Sequence, residues 1–536
     1  MSSIDNPVSS RIGRVAVGAG LERRIAITCF GIASAIGLVG AFVALDGHSF
    51  WLDELFTARL LEPAVGTDLL SRIAADVHPP LYMLALWLHA QVFGTGDAAL
   101  RGLSAAAACG AIVVFLTTTR PFFSLPARLF SAAIATNTLF WFFQAQNARS
   151  YALCLLFSAA IMALSLALLT GDDGRNRWRK LLPALLTLMA IGSFVHFYVM
   201  YECLAVLFVL AAFNRRRQVV LAAAAVVLLL ASAAYVKFVI AAHSQVTLDN
   251  NWYLNTPTWY LTVLQACVRY SFGSAGLVAL ALCAVGALAG CAAAAPSPGI
   301  VRLKAVDPVI TLLVGVPVLV LVGGIVSSTL LAPNFFDRNF LVVSPFIWGL
   351  SAWLYDAAMK NLGQLLRVVL ASALAVIVLP MTAIVGARLP ANEAPAFYEP
   401  FRSSAAWIRM LPACEHEILP VLSPENPAWY KPGYAAIVYD SAYGRYLHGF
   451  AQPRHFFTQD IEAGRLPADV KAELTRRLNG SGCPVLAWDA HNIDAKEMER
   501  VKANLLRSLG YSGSEVKVGM RAFTDGADGY VLYVRP

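Results

Sequence analysis

Charge is scarce in this chain of 536 residues: Asp, Glu, Lys and Arg together make up 14% of it, against 58% hydrophobic residues. With so little polar surface to spend, a chain of this length cannot close its apolar residues into one water-soluble core. No internal repeat and no low-complexity tract is present, which excludes solenoids, propellers and disordered arms. Metal-ligand spacing is missing as well. Of the nine cysteines, Cys29, Cys109, Cys154, Cys203, Cys267, Cys283 and Cys291 lie in or beside apolar segments, where small packing residues are expected. Among His78, His196 and His243 no two stand at i, i+4 spacing with a carboxylate.

What the chain has instead is a succession of long apolar segments. The first, near 25–45, can cross a hydrocarbon layer of roughly 30 Å, and Arg11, Arg14, Arg23 and Arg24 precede it. It is longer than the apolar region of a cleaved leader, so a retained anchor is expected. A net charge of +8 would point to nucleic acid in a soluble protein. Here the basic residues cluster at alternate connections: the N-terminus, Arg120/Arg128, Arg175/Arg177/Arg179/Lys180, Arg215/Arg216/Arg217, Arg302/Lys304 and Lys360/Arg367. The intervening connections hold only Arg59, Arg72, Arg101, Arg149, Arg269 and Arg338. That bias predicts a cytoplasmic N-terminus (1–24) and a multi-pass membrane protein.

Under that rule the spans fall near 25–45, 99–119, 128–146, 151–170, 181–198, 199–214, 218–241, 274–295, 309–331, 338–356 and 366–387, eleven in all, within a membrane domain 25–387. The first outer loop is then 46–98. Its apolar stretch 78–94 is short, and counting it as a span would invert every later basic connection, so it is expected to lie at the outer interface. Segment 257–272 reads the same way, since Pro257 can start a helix and Trp259 and Tyr260 suit an interface. Beyond 388 the composition turns polar. Strand-like runs at 435–443, 484–491 and 529–535 alternate with amphipathic segments at 467–478 and 494–510, which predicts an extracytoplasmic α/β domain over 388–536. Cys414 and Cys483 fall in that exported part, where a disulfide between them is expected.

The loops on the outer face collect the residues capable of chemistry. Asp53 and Glu54 stand in SFWLDELFTARLL, DVHPPLY (76–82) follows with His78, Asp97 and Arg101 appear in GTGDAALR, and Arg149 and Tyr151 in QAQNARSYAL. His196, Tyr198, Tyr201 and Glu202 come next, then Arg338 in APNFFDRNFL. Ionisable groups at a membrane surface cost energy unless they act, so an acidic pair beside arginines and aromatics predicts a reaction centre.

The ordered set WLDE, DVHPPLY, FGxxxxxLR and ARSYAL, over about residues 25–350, resembles the membrane glycosyltransferases of the GT-C superfold. Within it the similarity is to the branch of bacterial protein O-mannosyltransferases and the lipid A aminoarabinose and galacturonic acid transferases. The resemblance implies an all-α polytopic membrane domain carrying the C-terminal α/β domain. It also implies transfer of one sugar from a polyprenyl-phosphate donor to a glycolipid, polysaccharide or protein acceptor, with membrane lipids as surroundings and no nucleic acid. Asp53 resembles the catalytic carboxylate after the first span, and Glu54 would orient the acceptor or share its proton. Arg338, Arg149 and His78 are the expected contacts of the donor phosphate; Asp97, Tyr151, His196 and Tyr198 are candidates for substrate binding. Where many relatives carry an acid before the ARSY segment, this chain has Asn147, so no cofactor is expected, with a divalent metal left open. Two rival readings stand beside this one: a transporter or flippase of lipid-linked sugar, and a catalytically decayed glycan-binding membrane protein.

Overall fold

The computed structural model describes residues 20–61, 69–74, 78–170, 175–247, 256–293, 307–330 and 334–383, and beyond them shorter stretches that include 402, 409–410, 414, 419–423, 444–446, 468–478, 483, 485–490, 516–521 and 530–534. In chain order the helices of the first part are α1 (Leu21–Gly40), α2 (Leu52–Leu61), α3 (Leu69–Ala74), α4 (Leu81–Phe93), α5 (Asp97–Thr118), α6 (Leu125–Ala135), α7 (Leu139–Ala145), α8 (Tyr151–Thr170), α9 (Arg175–Ser193), α10 (Phe197–Phe213), α11 (Gln218–Thr247), α12 (Pro257–Ala293), α13 (Pro308–Leu330), α14 (Ser344–Asn361) and α15 (Gln364–Met381). Eight helical segments among the described residues are long and apolar enough to cross a membrane: α1, α5, α8, most of α11, the second part of α12, α13, α14 with the turn before it, and α15. The chain is a multi-pass membrane protein. The three other expected spans correspond to α9, to the shorter α10, and to the pair α6 and α7.

That pair departs from the expectation of one span over 128–146. The run is apolar enough to continue, but Thr136, Asn137 and Thr138 interrupt it. Polar side chains in apolar surroundings turn to nearby carbonyls. Asn137 Nδ2 donates to Ala133 O at 2.8 Å and to Ala33 O of α1 at 2.9 Å, and Thr138 Oγ1 caps α7 by accepting from Trp141 N at 3.2 Å. Gly37 of α1 faces the same break; a methyl group there would run into the carbonyl and side chain of Thr136.

The core of the bundle is built from small residues at helical spacing. Ala105, Ala108, Ala111 and Ile112 of α5 are fully buried, as are Ala152 and Ala159 of α8, and the two helices pack together. Small faces let backbones approach closely where lipid supplies no hydrophobic drive. By contrast α11 exposes Val219, Val226, Val227, Leu230 and Phe238, an apolar face that suits lipid rather than water. In α12 the expected interfacial segment and the following span meet at Gly273, whose φ of 61° lies in the left-handed region that only glycine adopts without cost.

In the C-terminal part, strands β1 (Leu419–Ser423), β2 (Val485–Ala490), β3 (Val516–Arg521) and β4 (Tyr530–Val534) form a sheet of order β1-β2-β4-β3, and α16 (Ala468–Leu478) lies between β1 and β2 in sequence. β1 and β2 run parallel, while β4 is antiparallel to both of its neighbours. A parallel pair needs a long return connection, and α16 falls within it. The expected runs at 467–478, 484–491 and 529–535 fall on α16, β2 and β4; run 435–443 and most of 494–510 lie outside the described residues. Cys414 and Cys483 precede the parallel neighbours β1 and β2 and are joined by a disulfide, with their Cα atoms 4.5 Å apart.

Candidate active site

The site grows from the loop between α1 and α2. Its carbonyls would be costly to bury unpaired, and side chains from other elements take several of them. Gln146, just past α7, donates from Nε2 to Gly40 O at 3.1 Å and Val43 O at 2.7 Å. Arg101 of α5 donates from Nη1 to Leu45 O and His48 O, both at 2.9 Å, and from Nη2 to Ser49 O at 3.0 Å. Between these clamps Ala44 takes a φ of 54°, which costs a non-glycine residue about 1 kcal/mol and needs such support.

The remaining donors of Arg101 go to Glu54. Its Nε reaches Glu54 Oε1 at 2.8 Å and its Nη2 reaches Oε2 at 2.6 Å, both side chains being fully buried. Glu54 Oε1 also accepts from the backbone N–H of Ala148 at 2.7 Å. All five guanidinium N–H groups of Arg101 are thereby used. Glu54, expected to orient the acceptor or share its proton, is instead enclosed in a planar two-bond pair that ties α2 to α5 and to the segment after α7.

Asp53 is different. Being the adjacent residue on α2, it points elsewhere, and its side chain is 30% exposed. Its nearest oxygen lies 4.0 Å from Nη2 of Arg338, itself 25% exposed. Arg338 stands in the 3-10 turn Asp337–Val343 that leads into α14, with its guanidinium carbon 5.6 Å from the Trp51 ring centre and 4.9 Å from that of Phe336. The Trp51 indole N–H is held by Asn147 Oδ1 at 3.2 Å. Two aromatic faces thus hold the cation beside the carboxylate.

Arg149 completes the group from the segment before α8. Its Nη1 donates to Thr57 Oγ1 at 2.9 Å and to the Asp53 carbonyl at 3.4 Å, while Nη2 lies 3.1 and 3.2 Å from the two ring nitrogens of His78. A guanidinium only donates, so it bonds whichever imidazole nitrogen lacks a proton. The His78 carbonyl in turn accepts from Tyr235 of α11 at 3.3 Å. The His196 ring is 6.0 Å from that of His78 and 5.7 Å from that of Tyr151. Burial above all, then the neighbours His78, Arg149 and Arg338, holds the His196 imidazole well below its usual pKa and therefore neutral. Its Nδ1 accepts from Tyr198 N at 3.2 Å and caps α10, whereas the Tyr198 hydroxyl turns away to Asn334 at 3.1 Å.

Asp53, Arg149, Arg338, His78, Tyr151 and His196 therefore converge at one end of the bundle. Asp97 does not join them. At the start of α5 its carboxylate accepts from Arg445 Nε at 2.9 Å, from the Tyr446 hydroxyl at 2.7 Å and from Arg402, all residues of the C-terminal part. It was expected to contact substrate; what it holds is protein. Among the described residues no three His, Cys, Asp or Glu side chains are grouped to hold a metal ion.

No protein-family model and no curated protein matches this sequence. Solved structures do match it. ArnT from Cupriavidus metallidurans in the apo state is similar at 14% sequence identity, over 94% of this chain and 97% of that one, with a TM-score of 0.54. The same protein bound to undecaprenyl phosphate is similar at 14% identity over 94% and 98%, with a TM-score of 0.51. The chain has the GT-C fold. The oligosaccharyltransferase of Archaeoglobus fulgidus in its apo form follows at 13% identity, 96% and 75% coverage and a TM-score of 0.47.

On this GT-C fold several residues matter that carried no role in the sequence. Arg101, the arginine of FGxxxxxLR, stood among the outer-face residues without an assigned task; it holds Glu54 and the loop. Trp51 and Thr57 orient Arg338 and Arg149, but tryptophan and threonine near a membrane surface have many other uses. Tyr446, Arg402 and Arg445 reach Asp97 across 305 to 349 positions of sequence, and nothing local announces such a contact.

Proposed function

We propose that this chain is a membrane glycosyltransferase. It moves one sugar from a polyprenyl-phosphate donor to a cell-envelope acceptor, which is a glycolipid, polysaccharide or protein, on the extracytoplasmic face. The observation that carries the reading is the partly exposed Asp53 carboxylate 4.0 Å from Arg338, with Arg149 and His78 beside it, at one end of a lipid-facing bundle. Support comes from the fold shared with ArnT, one of whose structures is bound to undecaprenyl phosphate.

The chemistry follows from those groups. The acceptor hydroxyl oxygen attacks the anomeric carbon and passes its proton to Asp53. The bond from that carbon to the donor phosphate breaks on the opposite face, so configuration inverts, and its electron pair leaves on the phosphate oxygen. Arg338 and Arg149 supply positive charge that is in position before the bond breaks, which is where fixed charge accelerates most. Their planar forks match phosphate oxygens, and His78 adds a third contact. The lipid tail lies against the apolar helix faces, so no water-filled pore is required.

The test is mass spectrometry of lipid-linked sugars and envelope glycans from cells carrying the wild-type chain, Asp53→Asn, or no protein. Loss of a single sugar from one glycan, with a polyprenyl-phosphate sugar accumulating in both altered strains, supports the reading and names both substrates. An Asn variant that behaves as wild type removes Asp53 as the base and returns the chain to transport or binding.

A further inference from the structure

We propose that Tyr446 of the C-terminal part is a positioning residue for Asp53, acting through a polar latch that closes over the α1–α2 loop. The inference rests on the transfer function proposed above. Its basis is one hydroxyl that serves two partners. Tyr446 Oη donates to Asp97 Oδ2 at 2.7 Å and accepts from the backbone N–H of Phe50 at 2.8 Å, three residues before Asp53. Tyr446 is 7% exposed and Phe50 is fully buried, so neither bond has water as a ready substitute.

The surrounding groups make the latch two-sided. Asp97 and Arg101 stand one turn apart on α5 and share a face. Arg101 grips the loop from within through the carbonyls of Leu45, His48 and Ser49. From the other side Asp97 draws in the C-terminal part through Arg402, Arg445 and Tyr446. The ring of Phe50 lies between two guanidinium groups, 4.8 Å from that of Arg101 and 4.6 Å from that of Arg445. Arg402 also donates to Asp46 O. Arg409 donates to the carbonyl of Tyr446 at 2.6 Å, which holds the short helical turn in place. Burial, then the Asp97 charge, pushes the Tyr446 phenol up, so it keeps the proton it donates.

One consequence concerns the C-terminal domain. Phe50 is held by it through the Tyr446 hydroxyl and the Arg445 guanidinium, and the step from Phe50 to Trp51 leads to the ring that Arg338 faces. A shift of the latch is passed to the spacing of Asp53 and Arg338, the two groups assigned to proton and phosphate. Misplacement of such groups by about 1 Å costs on the order of 100-fold in rate.

The experiment is a double-mutant cycle on the full-length protein. Tyr446→Phe keeps the ring and removes both hydrogen bonds; Asp53→Asn removes the base. Turnover is read as sugar transferred by purified protein added to membranes of a strain lacking it, which contain donor and acceptor. Amide exchange of the peptide 46–57 is measured in parallel. Tyr446→Phe is expected to lower kcat on the order of 10- to 100-fold with donor KM unchanged. It should speed exchange in 46–57 and leave the exchange of α8 and α14 as in wild type. In the Asp53→Asn background it should cost nothing further, because it acts through Asp53. Unchanged turnover in Tyr446→Phe, or equal losses in both backgrounds, overturns the proposal. If Asp53→Asn alone turns over as wild type, the transfer reading falls, and the latch is then judged by exchange alone. Should Tyr446→Phe not be recovered folded, Arg445→Lys, which keeps a charge on Asp97 and loses the contact with Phe50, takes its place with the same expectations.

Discussion

Adjacent acids Asp53 and Glu54 should respond in opposite ways to loss of charge, and the structure sets the size of each response. In Glu54→Gln the new amide must face a donor whichever way it turns: Arg101 Nε and Ala148 N meet one oxygen position, and Arg101 Nη2 meets the other. Arg101 would then be buried at 0% exposure beside a neutral group. Removing one partner of a buried pair costs about 3–5 kcal/mol, because the other charge is left uncompensated. In Asp53→Asn the pair is 4.0 Å long with 30% and 25% exposure, a geometry worth about 0–1 kcal/mol. Its effect should fall on turnover, by on the order of 100- to 10,000-fold for loss of a general base. The assay pairs thermal unfolding in detergent with sugar transfer per folded molecule. A Glu54→Gln protein that unfolds at the wild-type temperature, or an Asp53→Asn protein that is strongly destabilised, would refute the assignment of one acid to support and the other to chemistry.

Two further outcomes are expected. His196 is held neutral in the folded chain, so below its unfolded pKa of about 6.5 unfolding takes up a proton there, and stability should fall as pH drops through and below that value and be independent of this group above it; unfolding midpoints between pH 5 and 8 (roughly the range in which histidine titrates) check this, and His196→Asn, which keeps an acceptor for the Tyr198 N–H, should flatten the slope. The Cys414–Cys483 bond closes a separation of 69 residues, so Cys414→Ser with Cys483→Ser should destabilise the C-terminal part by about 4 kcal/mol on loop entropy; limited proteolysis with and without the substitutions measures it, and equal cleavage rates would contradict the value.

Part of the site was legible because chemistry confined to one membrane face appears in sequence as polar motifs between apolar runs. Asp53, His78, Arg149 and Arg338 each stood in such a break, and they lie together in the folded chain. What motif reading cannot do is tell an accessible acid from an enclosed one when the two are neighbours. Glu54 and Asp53 differ by one position on α2, and only the place of Arg101 on another helix decides which of them is covered.

The apolar runs by themselves determined that the chain crosses a membrane many times, since about 20 apolar residues in a row have no other solvent to suit them. They also determined the ends of four helices to within two residues, those over 99–119, 151–170, 199–214 and 309–331. The break within 128–146 was beyond them, because hydropathy averages over a window while Thr136, Asn137 and Thr138 act by single hydrogen bonds to α1 and to their own helices. Asp97 shows the same limit at longer range. The resemblance made it a candidate for substrate binding, whereas its partners Arg402, Arg445 and Tyr446 come from a different part of the chain. Composition reports which solvent each segment prefers; which charge meets which is settled only when distant segments are brought within about 3 Å, where hydrogen bonds form.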